Sequence, residues 1–469
     1  MKSSTQRAFD RLDVAAGGAM MLLVLLIAFT VLSGDHAGIV LLERTPTESP
    51  AVTEAIRVVF SAPLEEASLT ERFTITPATE GTLHLNGAVL TFTPRRAWQA
   101  GIPYTVRIGM GVRALNGRAL VREEQWSFTP RSPRLVYLAP AVAADADALN
   151  ALWLIDPTAN DSPRRLAVGV NEFRPSPDGS RIVFVRAGAG GVSDLYELSM
   201  ATGAVRQVTN CAAVSAACGA PSWHPDGGRL AYERRELSAA VPETDRRFPR
   251  AWAVNLRDLA TAPLLDNPLF LGGTPLWSPD GTRLAVFDLS QSGIVIYEVK
   301  TGTAQTIPTL ESESGLYAFD PSGRYFIYPT LKMFGGRFTT QLEWIDLTDR
   351  AAGIKTFSGE NTPPIEDHQP AWHPDGQRFA FTRRYMDGSG AMTAQLYMMN
   401  PSTGEVVPLV VDARYIHGAE QWSPTGDQIV FQRFDPNDSA AVPEVWLYTL
   451  EGGEPRRIVR GGFFPMWLP

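Results

Sequence analysis

The sequence predicts an all-β protein: a seven-bladed β-propeller closed by its C-terminal strand, preceded by a β-sandwich and one transmembrane helix. Three observations carry this expectation. A phrase built around Trp, Pro, Asp-Gly and Arg recurs after residue 133, short alternating strands fill residues 46–130, and residues 14–33 contain no charge. Composition agrees: 40 glycines and 36 prolines suit a chain of many tight turns. The net charge of −8, with no long basic run, excludes nucleic acid as a partner, because binding it needs a clustered cationic face.

The first element is the apolar run. As a helix, residues 14–33 would extend about 30 Å, the thickness of a bilayer's hydrocarbon core. Lys2, Arg7 and Arg11 precede the run, and the next basic residue is Arg44. This asymmetry predicts a cytoplasmic tail over 1–13, an anchor over 14–33, and the remainder outside the cytoplasm. A cleaved signal peptide is the alternative, although no clean small-x-small cleavage site follows the run. Both readings export the rest of the chain.

A stalk over 34–45 is expected next, then a small β domain over 46–130. Its strands are predicted at 55–60, 72–76, 82–85, 89–93, 104–108 and 125–129, separated by Gly, Pro and Asn-Gly. The wording "VVFSAPLEEASL", "LTFTPRRAWQAGIPYTVRI", "VRALNGRAL" and "WSFTP" resembles the bacterial Ig-like domain of exported proteins. In the turn before the last strand, Ala114 and Arg118 stand around Asn116-Gly117, where that family often has an Asp and an Asn. The resemblance implies a spacer, with no site assigned.

The repeat occupies 134–469. Its anchor glycines are Gly179, Gly227, Gly281, Gly323, Gly376 and Gly426, spaced by 42 to 54 residues. Each unit reads as four strands: one ending at Trp or Phe, a tight hairpin through Asp-Gly or Ser-Gly, an apolar second strand, and a second strand pair. A period near 50 built from four strands predicts a propeller. The C-terminal "PMWLP" is the first half of a repeat, and its second half stands at Arg134 in "RLVYLA". Pairing these two segments would close the ring and leave no bare sheet edge. Six whole units and one divided unit make seven blades. The phrase P-x-W-[SH]-P-D-G-x-R-[LF]-A-[FY] closely resembles the repeat of TolB-like propellers, which implies recognition of a protein or ligand in the cell envelope.

No catalytic motif is evident. G-x-S-x-G is absent, and nothing remains to build a hydrolase domain beside the propeller. His224 and His373 share a repeat position held elsewhere by Ser and read as turn residues rather than ligands. His368 and His417 precede the inner strands of two blades and could face a channel, but without an acidic partner motif they do not predict a metal. Glu366 and Asp367 read as solvent-facing residues of a Pro-rich loop. No metal or other cofactor is expected.

One position invites a binding reading. Seven residues after the anchor glycines stand Arg186, Arg234, Asp288, Thr330, Arg383 and Arg433, followed by long loops at 236–250, 331–338 and 384–393. Four guanidinium groups on one face, from Arg186, Arg234, Arg383 and Arg433, could bind carboxylate or phosphate. Structural pairing with acidic residues such as those of 435–438 is the alternative. The two cysteines, Cys211 and Cys218, form a disulfide candidate in an exported protein. Together these readings describe a single-pass, cell-membrane protein with its bulk outside the cytoplasm, which recognises an envelope protein or anionic ligand or acts as a scaffold. The alternative is a propeller lyase or hydrolase acting on envelope glycan or peptide.

Overall fold

The computed structural model describes residues 20–25, 38–141, 150–159, 162–243, 246, 248–264, 272–288, 290–309, 317–334, 336–349, 353–356 and 364–469. Residues 20–25 are helical, and the rest of the expected membrane span lies outside the described residues. No helix among the described residues is long and apolar enough to cross a membrane. The chain forms two compact units. Of the described residues, one comprises those up to Glu48 with Ala55–Arg95 and Pro103–Thr129; the other comprises those of Ser49–Glu54, Arg96–Ile102 and Pro130–Pro469.

The first unit is a two-sheet β-structure. One sheet orders Leu41–Thr45, Ile56–Phe60, Val89–Pro94 and Gly81–Asn86; the other orders Phe73–Thr76, Tyr104–Ile108 and Glu124–Phe128. Alternation places Ile56, Val58, Leu90, Val106 and Ile108 inside, each fully buried, and Phe73 meets Phe92 of the other sheet at 5.6 Å. Leu41–Thr45, expected in a stalk, is instead a strand paired with Ile56–Phe60, because burial of Ile39 draws the segment onto the sheet edge.

The second unit repeats one four-stranded antiparallel sheet. Sheet 1 runs from Glu172–Pro175 through Arg181–Ala187 and Ser193–Ser199 to Val205–Gln207. Sheets 2 to 6 begin at Ala216–Trp223, Gly272–Trp277, Ala318–Phe319, Ile365–Trp372 and Ile416–Trp422. Sheets 1 and 2 are joined by a single parallel bridge, Ser193 to Ala217. The seventh sheet is assembled from both ends of the unit: Phe463–Leu468 pairs with Arg134–Pro140, followed by Asn150–Ile155 and Arg164–Val168. Trp467 lies opposite Leu135.

Apolar clusters join these sheets in cyclic order. Val183 and Leu195 of sheet 1 pack with Leu230 and Tyr232 of sheet 2. Ala231 meets Trp277 and Leu284 of sheet 3, whose Phe287 and Ile294 meet Phe326 and Tyr328 of sheet 4. Ile327 meets Phe379 and Phe381 of sheet 5, and Ala380 meets Ile429 and Phe431 of sheet 6. Val430 and Val445 meet Leu135 and Trp467 of the seventh sheet, whose Val136 and Leu138 return to Phe173 and Ile182 of sheet 1. Second strands that are apolar on both faces are therefore buried on both sides, as in stacked propeller-like sheets.

The turn phrase is an inter-sheet fastener. In sheet 3 the Ser278 hydroxyl donates to Asp280 and accepts the Arg283 N–H, while Asp280 accepts the Thr282 N–H. The Arg of the phrase then reaches onward: Arg181 donates to the Gly227 carbonyl at 2.6 Å and Arg283 to that of Gly323 at 2.8 Å. His373 does the same work differently. Its Nδ1 accepts the Asp375 N–H, which leaves the hydrogen on Nε2 to reach the Gly426 carbonyl at 2.8 Å. Gly426 has φ +77, and a Cβ there would stand 2.6 Å from the His373 ring. His224 and His373 are thus turn residues, edge-on to Trp277 and Trp422 at 4.7 Å.

Candidate functional site

The four arginines at the ends of the second strands each have partners within the chain. Arg383 stands opposite Asp367 in the ladder and grips it through two hydrogen bonds of 2.7 Å, with both residues buried. Arg234 pairs with Glu236 at 2.7 Å and lies over the Trp252 ring. Arg433 lies over Trp446 and Tyr415, with Glu444 at 3.7 Å and Asp412 at 3.9 Å. Arg186 donates to the Val168 carbonyl and covers Tyr196. These partners come mainly from the same sheet, and Asp435 of the expected acidic loop pairs instead with Arg414.

Two expectations are corrected. Glu366 and Asp367 are buried in the inner strand Ile365–Trp372, where Arg384 and Arg383 hold them; flanking prolines made this strand read as a loop. The segment 331–338 is largely ladder, since the strands Tyr325–Phe334 and Arg337–Asp346 pair to their tips. Cys211 and Cys218 are disulfide-bonded, with Cα atoms 6.1 Å apart, and the Cys211 N–H donates to buried Asp194.

The inner strands hold the less expected feature. Five of them carry a bulge at one repeat position, three residues before the Trp. Ala220, Thr274, Gln369, Ala419 and Phe464 all have positive φ there, between 44° and 56°. A bulge leaves an N–H outside the ladder. In four cases a side chain of the preceding sheet takes it: Glu172 accepts from Ala220, Glu233 from Thr274, Gln369 from Ala419 and Gln432 from Phe464, at 2.8 to 3.0 Å.

Three of these bulges, at Gln369, Ala419 and Phe464, line two adjoining cavities of about 300 and 310 Å³. The first is bounded by inner strands of four sheets, through Glu172, Gln369, Glu420 and Phe464. The second adds His368, His417 and Gln432 and shares Gln369, Ala419 and Phe464 with the first. Inner strands of four sheets thus converge on one concave space. His368 and His417 thus lie within inner strands rather than before them.

Two buried groups here are electrostatically unusual. Glu420 occupies the repeat position of Pro221, Pro275, Pro370 and Pro465. It is 2% exposed, neither carboxylate oxygen has a partner, and burial pushes its pKa up to about 8. His417 is equally buried, against the Phe431 ring, with both ring nitrogens unpartnered. Burial, reinforced by the Arg433 charge, lowers its pKa to about 4. Among the described residues no three His, Cys, Asp or Glu side chains are grouped to hold a metal. The four arginines stand seven residues after the anchor glycines. On a strand the sixth faces the opposite way, and Glu233 and Gln432 stand there. Glu420 and Phe464 were visible only as departures from the repeat.

The family comparison decides the first unit. Residues 42–130 are a bacterial Ig-like domain. No curated protein sequence matches the chain. Solved structures similar to it include TolB-like propellers. TolB from Acinetobacter baumannii aligns over 85% of this chain and 83% of its own at 14% identity and TM-score 0.42. A putative TolB from Agrobacterium tumefaciens aligns over 57% and 88% at 19% identity and TM-score 0.39. An oligogalacturonate lyase in complex with manganese aligns over 68% and 91% at 18% identity and TM-score 0.47.

Proposed function

We propose that this chain is a membrane-anchored, extracytoplasmic recognition protein, in which an Ig-like spacer carries a seven-bladed propeller whose channel receives an envelope ligand or protein. The observation that carries this reading is the pair of cavities among the inner strands, where an exposed aromatic ring and side-chain amides meet. Among the described residues, seven four-stranded sheets and seven apolar clusters in cyclic order support the blade count. The uncharged run at 14–33 and the basic residues before it support the anchor. The disulfide favours an oxidising compartment. The internal pairing of Arg186, Arg234, Arg383 and Arg433 supports the channel, rather than that ring of arginines, as the binding site.

Capture from envelope extracts with the full chain tests the reading. A discrete partner retained by the wild type and lost on narrowing the cavity, for example by Ala419→Trp, is the expected result. Equal capture by the variant overturns the channel as the site. Alkaline extraction tests the anchor: the chain should stay with the membrane pellet.

A second reading, a propeller enzyme, is favoured by one observation. Glu420 and His417 lie on one strand beside the cavities, with pKa values displaced in opposite senses, as in an acid and base pair. Turnover of an envelope glycan or peptide that is lost in Glu420→Gln would establish it.

A further inference from the structure

Phe464 breaks the pattern of its repeat position. The equivalent residues with positive φ are Ala220, Thr274, Gln369 and Ala419, small or polar. A bulky aromatic at φ +47 is a conformational outlier, and such outliers persist where function holds them. Packing does not explain this one, because Phe464 is 54% exposed. Its ring is braced on one side by Phe463, edge-on at 5.5 Å, and it borders both cavities.

The surrounding polar groups narrow the ligand class. Gln369 and Gln432 commit their oxygens to bulge N–H groups, which leaves two NH₂ groups uncommitted beside the ring. Nearby charges are already matched. Glu172 pairs with Arg174 at 3.3 Å, and Glu366 holds Arg384 with His368 at 3.8 Å. Among the described residues lining the two cavities, an ionic ligand therefore finds no unmatched opposite charge on an exposed side chain. A peptide adding itself to the inner edge finds four bulge N–H groups already occupied. What remains is an aromatic face flanked by neutral hydrogen-bond donors.

We propose that the channel receives a neutral sugar ring, stacked by its C–H face on Phe464 and hydrogen-bonded through its hydroxyl oxygens by Gln369 and Gln432. This rests on the channel being the recognition site. A sugar presents an apolar face and a rim of hydroxyls, which matches an aromatic platform with amide donors at its edge. Each cavity lies at the lower end of the size range of small-ligand sites.

The test titrates the full chain with N,N′-diacetylchitobiose, cellobiose and maltose, read by saturation-transfer NMR and calorimetry, with digalacturonate as the charged control. At least one neutral disaccharide should bind, with its ring C–H protons saturated most strongly. Phe464→Gly should weaken it at least about tenfold. The same variant should melt no lower than the wild type, since Gly accepts positive φ without strain. Phe464→Trp should retain binding. Failure of all three neutral sugars, equal binding by Phe464→Gly, or preference for digalacturonate overturns the inference. If no sugar binds but a protein partner is captured, the sugar site falls and the recognition reading stands. If a disaccharide binds and is cleaved, the sugar site stands and the recognition reading gives way to the enzyme.

Discussion

Trp467 faces Leu135 across an antiparallel ladder, although 331 residues of sequence lie between them, and its indole N–H donates to the Gln421 carbonyl of the sixth sheet at 3.1 Å. One side chain thus joins the first strand of the propeller-like unit, the last strand, and the neighbouring sheet. Trp223 and Trp422 make the same type of bond, to Arg174 and Ala371.

Trp467→Ala should therefore cost about 3–5 kcal/mol in urea unfolding, the range for a buried Trp or Phe truncation. Deleting residues 463–469 should go further and promote association, because the edge of Arg134–Pro140 would be bare. Light scattering checks the second effect.

Arg383→Ala should lower stability by about 3–5 kcal/mol, since it leaves Asp367 buried without its partner. Replacing both, as Asp367→Leu with Arg383→Met, should cost much less. Equal losses in single and double variants would show that packing, not charge, holds this position.

The two unpartnered groups predict opposite pH slopes. The Glu420 pKa is raised, so the folded state binds the extra proton, and stability should fall as pH rises from about 4.5 to about 8. Glu420→Gln should remove that fall and gain on the order of 3 kcal/mol at pH 7. The His417 pKa is lowered, so stability should fall as pH drops from about 6.5 to about 4, and His417→Phe should flatten that limb. Melting temperatures across pH 4–9 for the wild type and both variants check the signs.

Gly426→Ala should destabilise by at least about 1 kcal/mol, from positive φ and from contact with the His373 ring. Gly404→Ala has a similar φ of +73 but open space around it, so it isolates the backbone share. The difference between the two variants should shrink in a His373→Ser background.

The architecture was legible because its signals are local and repeated. All six anchor glycines have positive φ in turns of the expected kind, and the divided repeat announced the pairing of Trp467 with Leu135. The cavities among the inner strands were less legible. A bulge adds one residue to one strand without changing composition, so the alternation that assigns faces slips by one at Gln369 and Ala419. Glu366 and Asp367 looked like a loop because prolines bracket them, yet the opposing Arg383 and Arg384 make the strand tolerable to both carboxylates. Which side chain caps which N–H depends on a neighbouring sheet 32 to 50 residues away, and no local pattern encodes it.

The capping of four bulges from the sheet before them has an evolutionary corollary. A repeat brings the acceptor that its successor needs, as Glu233 does for Thr274 and Gln432 for Phe464. Copying or losing one such module would strand an amide on one side of the splice and an oxygen on the other, so these repeats are constrained to be inherited as matched neighbours.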